Sequence, residues 1–265
     1  MTGISLYISQ FVQLVFVILA IGPANAIPPV DGYALCMPDK VPLLVPKVED
    51  FELTGTGSHP IWESVAWQSM TKLDDGGEAY ASKFKICYSN TGIYVLFEGE
   101  DRRITTVYDE DFGELWNGDV FEVFFHPDTG INLSDTKEGA AVSYVEYEIN
   151  ALNSELVLFI SRKDGQSRSD FPEQYDGTRR VKKAVNVAIP SSGVEGEIAA
   201  WSAEMYFPFT LLADGGHTVP VSGTVWHANF CRIDYDAGAQ VKWSWTPTIE
   251  RSFHELAKFL RIQFE

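Results

Sequence analysis

The sequence predicts an all-β fold, a single β-sandwich of two antiparallel sheets. Short segments rich in Val, Ile, Phe and Tyr recur along most of the 265 residues. Clusters of Gly, Asn, Asp, Ser and Pro punctuate them. No stretch keeps a 3.6-residue period long enough for a substantial helix, and no repeat or low-complexity linker divides the chain.

Residues 1–26 are set apart from the fold. Residues 11–20 (FVQLVFVILA) form an apolar core too short to span a bilayer comfortably, followed by the small-x-small site Ala24-Asn25-Ala26. The segment reads as a signal peptide with Ile27 as the mature start, so the expected location is extracellular or periplasmic. No Lys or Arg precedes the apolar core, and an uncleaved anchor is the alternative. Residues 27–60 contain Pro28, Pro29, Pro38, Pro42 and Pro46 and read as an extended lead-in packing along the domain. The sandwich is assigned to residues 61–265. It opens with residues 61–68, whose Trp62 and Trp67 are expected to plug one end of the core.

Strands follow in order. Residues 84–88 alternate, Ser89-Asn90-Thr91-Gly92 is a turn, and residues 93–100 (IYVLFEGE) complete a hairpin. Residues 101–113 form an acidic loop. Residues 120–125 are a strand, and 131–139 a polar excursion. Residues 144–150 (YVEYEIN) alternate cleanly, 155–161 are apolar, and 162–176 read as a charged loop. Residues 181–189 and 199–207 are two more strands, and 210–212 open a short helix. Residues 225–235 and 259–264 supply the last strands.

Charge narrows the partners. The net charge is −17, and residues 1–26 carry no charged side chain, so all of it belongs to the remainder. That argues against nucleic acid and anionic membrane surfaces and suits a neutral ligand or a cation. The cysteines, Cys36, Cys87 and Cys231, are odd in number and lack zinc-site spacing. A Cys36–Cys87 bridge is one reading and three core thiols the other. The five histidines show no metalloprotease spacing, and neither a phosphate loop nor a nucleophile elbow is present.

Residues 115–125 (LWNGDVFEVFF) are the most informative stretch. Trp116 sits in a turn of Asn117, Gly118 and Asp119, just before an apolar strand carrying one carboxylate, Glu122. An indole at a strand mouth offers a stacking face for the C–H side of a sugar ring, and a nearby carboxylate accepts from its hydroxyls. The structural alternative is a core-edge Trp with an ion-paired Glu. Glu122 and Glu204 are both candidates for burial against Arg232 or Arg261.

The order and spacing of several segments resemble family 9 carbohydrate-binding modules, within the wider DOMON-like group of sandwiches. The matching pieces are Ile93-Tyr94-Val95 with Asp101; Leu115 to Phe124; residues 144–150; residues 201–209 with Glu204 and Pro208; residues 229–234 (NFCRID); and Trp243-Ser244-Trp245 leading to Phe253-His254 and Lys258-Phe259. The resemblance covers residues 62–265. It implies a non-catalytic protein that clamps a terminal sugar between two aromatic rings, alongside glycoside hydrolases in carbohydrate breakdown. The first ring falls on Trp116, the carboxylate on Glu122 and the second ring on Phe253, where well-known members carry Trp. An Arg of the family aligns with Glu148, which inverts a charge. A polar position aligns near Cys231, with Arg232 as a substitute and Asn229 as a further hydrogen-bonding residue.

Three other constellations stand beside this reading. Asp101, Asp109 and Asp111 in the acidic loop, with Glu110, are oxygen donors suited to calcium, without the EF-hand rhythm. A haem-binding electron-transfer domain would need axial ligands facing one cavity, and Met205 with His227 or His126 are the candidates. Glu146 and Glu148, two apart on a strand, point to one face with Cα atoms roughly 7 Å apart, a separation open to glycoside hydrolysis and equally to a solvated strand face.

Overall fold

A computed structural model describes residues 41–265 except 107, 128–141, 164, 165, 192–194, 216, 247 and 249–251. Residues 1–26, which the sequence reads as a signal peptide, Cys36 and the excursion at 131–139 lie outside the described residues. Fourteen strands account for most of the rest: β1 (Leu43–Val45), β2 (Gln68–Ser69), β3 (Thr71–Lys72), β4 (Ser82–Tyr88), β5 (Gly92–Glu100), β6 (Val120–Pro127), β7 (Val142–Asn150), β8 (Glu155–Lys163), β9 (Gln166–Asp170), β10 (Lys182–Ala188), β11 (Ala200–Pro208), β12 (Val225–Asp234), β13 (Val241–Ser244) and β14 (Leu260–Phe264). A single turn of α-helix, α1 (Phe209–Leu212), falls where the short helix is expected. No described helix is long and apolar enough to cross a membrane.

The strands form two sheets. The larger runs β1-β14-β12-β6-β7-β8-β9, with β13 and β3 attached beside β12, and the smaller runs β10-β11-β5-β4-β2. Every pairing between strands is antiparallel but one. β1 lies parallel to β14, with Leu43 opposite Ile262, so the sheets are not purely antiparallel as expected. A parallel neighbour needs no hairpin, and here the two ends of the described chain meet at one sheet edge.

Alternation sets what each face buries. Phe121, Val123 and Phe125 of β6, Val145, Tyr147 and Ile149 of β7, and Phe230 of β12 point between the sheets, where they meet Phe84, Val95, Phe97, Ala203 and Met205. Phe97 stacks on Phe121 at 4.7 Å, and Phe84 on Phe230 at 3.8 Å. The opposite face of the large sheet carries a second apolar group: Val120, Phe124, Tyr144, Leu156, Ile160, Cys231 and Ile233, partly roofed by Phe253, Leu256 and Phe259. β6 is buried on both faces because it lies inside the large sheet beneath that roof.

Residues 48–65, within and just after the described part of the lead-in, cover the outer face of the small sheet. Trp62, in the one-turn helix Pro60–Ser64, packs there with Val65, Cys87, Tyr94 and Leu96, together with Phe51 and Leu53. Residues 61–68 therefore lie along a sheet face instead of plugging a core end. The anchor is Glu204. Its carboxylate accepts from the indole of Trp62, from the backbone N–H groups of Thr54 and Gly55, and from the Thr54 hydroxyl at 2.9 Å. Glu204 is thus buried against the lead-in, not against Arg232 or Arg261. Cys87 is a buried thiol within this layer, and burial pushes it up to about 12.

Candidate functional site

Even-numbered residues of β6 and β7 project from the outer face of the large sheet, so Glu122, Tyr144, Glu146 and Glu148 share one floor. Glu122 lies directly across the strands from Glu148. Leu158 and Ile160 of β8 and Ile233 of β12 extend the floor. Arg162, Ser167 and Ser169 form one wall, and Gln240, Lys242 and residues 252–254 another. Trp116 stands at the rim. The open cleft measures about 570 Å³, within the roughly 300–1,000 Å³ usual for small-molecule sites.

The turn holding Trp116 is built by its neighbours. Leu115 buries into the apolar layer under the cleft, which leaves Trp116 38 % exposed one residue later. The Tyr235 hydroxyl donates to the Trp116 carbonyl at 3.0 Å. Asp119, fully buried, accepts from the backbone N–H groups of Thr105 and Tyr235 and ties the turn to two loops. Gly118 is required by contact: a Cβ there would lie 2.8 Å from the Thr105 carbonyl oxygen.

The floor is electrostatically loaded. One oxygen from each of Glu122, Glu146 and Glu148 lies within 4.8 Å of the other two. Burial raises all three pKa values. Glu146 is pushed up to about 7, with Arg162 opposing. Glu122 is raised well above the usual range by burial and then by Glu146, with Lys242 opposing. Glu148 is raised by burial, then by Glu122 and Glu146, and the Trp116 amide opposes. Glu148 Oε2 is buried without a hydrogen-bond partner. His254 is driven down to about 4 by burial and then by Arg162 and Lys242. Its Nδ1 lies 2.9 Å from the Tyr144 hydroxyl, and its Nε2 lies 3.8 Å from Glu146.

These shifts set a pH dependence. The folded state retains carboxyl protons that the unfolded chain releases above about pH 4.5. Their stabilising contribution is complete below that value; that of Glu146 is lost as pH rises through about 7, and those of Glu122 and Glu148 are lost as pH rises through their own raised values. His254 has the opposite sense: the fold favours its neutral form, and its contribution is lost as pH falls from 6.5 towards 4. Between pH 6.5 and 8 the carboxyls dominate, so thermal melts of the protein alone should show Tm falling across that window. Glu146→Gln should flatten part of the fall. A wild-type Tm that climbs steadily to pH 8 would contradict the buried-carboxyl geometry.

The structure brings together Trp116, Glu122, Glu148 and Phe253 among the expected site residues. Phe253 is only 5 % exposed; its ring packs on Phe124 and lies 5.3 Å from Lys242 Nζ, so it is wall more than open stacking face. The adjacent His254 has its side chain 40 % exposed. Asn229 and Arg232 do not reach the cleft. Asn229 Oδ1 is taken up by the Ser244 hydroxyl and the Thr246 amide. Arg232 is one residue out of phase with Cys231, which opposes Glu122, so its guanidinium points between the sheets. Tyr144, Arg162, Lys242 and Gln240 are lining residues that sequence reasoning missed. Tyr144 alone was accessible to it, through its period of two with Glu146 and Glu148.

The calcium and haem ligand sets are not assembled. Asp101 is buried against Arg232, Asp111 is paired with Arg180 and Lys183, and Asp109 is exposed. A group formed by Asp101, Asp234 and Asp236 does exist, but the Arg232 guanidinium already sits on Asp101 and Asp234, and Arg103 and Tyr80 on Asp236. Met205 is fully buried between the sheets, whereas His126 and His227 alternate onto the outer face of the large one. They share no cavity with Met205.

No protein-family model and no curated protein matches the chain. Solved structures match in fold. A candidate carbohydrate-binding protein from Bacteroides uniformis superposes over 84 % of this chain and 99 % of its own, with a TM-score of 0.61 at 18 % identity. A family 9 carbohydrate-binding module from Caldicellulosiruptor kristjanssonii in complex with cellotriose covers 85 % of this chain and 94 % of its own, at 0.55 and 14 %. Its glucose complex covers 84 % and 95 %, at 0.54 and 13 %. The chain therefore has the β-sandwich fold of the family 9 modules, as the order of its segments implies.

Proposed function

We propose that this protein binds carbohydrate in the cleft beneath Trp116. The observation that carries the reading is the pairing of a half-exposed indole at the rim with carboxylates on the floor. A sugar ring has an apolar C–H face and polar edges, and this arrangement offers a partner to each. The solved neighbours that share the fold include modules complexed with cellotriose and glucose. The cleft takes the terminal residue of an oligosaccharide or polysaccharide, with Glu122 accepting from hydroxyls and Arg162, Lys242 and Gln240 within the same walls.

Binding is preferred over hydrolysis on geometry. Glycosidases set two carboxyls on either side of the bond they cleave. Here all three carboxyls project from one floor, two of them from a single strand. The apolar segment at residues 11–20 and the cleavage site after it support export. The proposed setting is extracellular or periplasmic, with the protein serving polysaccharide breakdown beside glycoside hydrolases. A glycan array probed with the purified mature protein is expected to show selective retention of a saccharide class. An array without signal above background would end the reading.

A further inference from the structure

The cleft floor holds more carboxyl groups than a neutral sugar requires. Glu122, Glu146 and Glu148 are set against two basic side chains, Arg162 and Lys242, while His254 is neutral at pH 7. With all three carboxyls ionised the group is left one negative charge in excess. Glu148 is 1 % exposed, and its Oε2 has no hydrogen-bond partner although the side chain lines the cleft. A buried oxygen in that condition is costly unless a ligand satisfies it.

The spacing identifies the missing donor. Three oxygens mutually within 4.8 Å share a point no farther than about 2.8 Å from each, which is the length of an ammonium–carboxylate hydrogen bond. A primary ammonium has three N–H donors and no acceptor, one donor for each carboxyl. Its single charge also cancels the excess. A divalent cation would overshoot it and leave net positive charge beside Arg162 and Lys242.

We infer that the cleft selects a sugar bearing a free amino group, its ammonium seated among Glu122, Glu146 and Glu148 and its ring against Trp116. This rests on the cleft being a sugar site. Burial favours the protonated carboxyls, and an ammonium favours the ionised ones. Binding therefore expels protons from the floor.

The test is calorimetric titration of the mature protein at pH 7 with D-glucosamine, D-glucose, N-acetyl-D-glucosamine and calcium chloride, in two buffers of different ionisation enthalpy. Glucosamine is expected to bind at least tenfold more tightly than either neutral sugar, with a buffer-dependent enthalpy that reports proton release. Glu148→Gln should narrow the ratio of glucosamine to glucose affinity severalfold. Equal or tighter binding of glucose overturns the amino-sugar assignment and leaves carbohydrate binding intact. Calcium binding that Glu148→Gln abolishes, without a glucosamine preference, overturns it in favour of a metal. Binding of none of the sugars overturns this assignment, and a blank glycan array beside it would remove the sugar reading as well.

Discussion

Replacing Arg232 with alanine is expected to cost the fold about 3–5 kcal/mol, the range for removing one partner from a buried ion pair. The guanidinium is fully buried. Nη2 donates to Asp234 at 2.6 Å and to Asp101 at 3.1 Å, while Nη1 donates to the Ser82 hydroxyl at 3.0 Å and the Glu100 carbonyl at 2.6 Å. Arg232 belongs to β12 of the large sheet and Ser82 and Glu100 to β4 and β5 of the small one, so one side chain bolts the two layers together. Rings of Tyr80, Trp243 and Phe121 surround it at 5.1–5.9 Å. The backbone is shaped to admit it: a Cβ on Gly99 would fall 2.6 Å from Nη1. Burial raises both Asp101 and Asp234, and Arg232 is the largest influence opposing it, ahead of the backbone N–H groups of Arg103 and Asp236, so its loss leaves two buried acids without their cation. In a domain of this size the loss corresponds to a Tm drop of roughly 6–20 °C, readable by differential scanning calorimetry. A variant that melts as the wild type but no longer holds sugar would return Arg232 to the binding site.

The same residue shows where sequence reading stops. Strand existence was legible because β4 to β8 and β10 to β12 carry runs of apolar, β-branched or aromatic side chains, and that signal is local. β9 was not legible, since Gln166–Asp170 contains no apolar residue and is a strand only because β8 folds back on it. β1 owes its place to a partner at the other end of the chain. Site residues followed the same division. Trp116 and Glu122 stand out by local contrast with the segments around them. Arg162 and Lys242 arrive from distant strands, and nothing near them in sequence singles them out. Arg232 was drawn towards the site as a substitute for Cys231, but a step of one residue along a strand turns the side chain to the opposite face. Parity excludes it once Cys231 is set opposite Glu122. The inverted charge at Glu148 was visible in the sequence; that Glu146 completes a triad with it depends on the register between β6 and β7.

Trp116→Ala is the complementary experiment, with the largest expected effect on ligand and little on fold. An exposed aromatic that stacks on ligand is a hot-spot contact, and its truncation is expected to cost about 2 kcal/mol, roughly thirtyfold in affinity. Leu115, Gly118 and Asp119 hold the turn without the indole, through burial, close approach and two backbone hydrogen bonds. Stability should therefore change by no more than about 0.5 kcal/mol, as for surface substitutions away from packed features. Trp116→Phe keeps a smaller ring and should recover part of the loss. Titration with the tightest saccharide from the array, beside a melting curve, separates the outcomes. Affinity that survives alanine would mean the ring does not touch the sugar, and the cleft would then bind through its carboxylates and walls alone. A large fall in Tm would instead make Trp116 a packing residue that is exposed only on one edge. Affinity lost at constant Tm is the result expected of the proposed binding mode, because the backbone of this turn is fixed by Asp119 and its indole is the one large side chain of the turn left facing solvent at the rim.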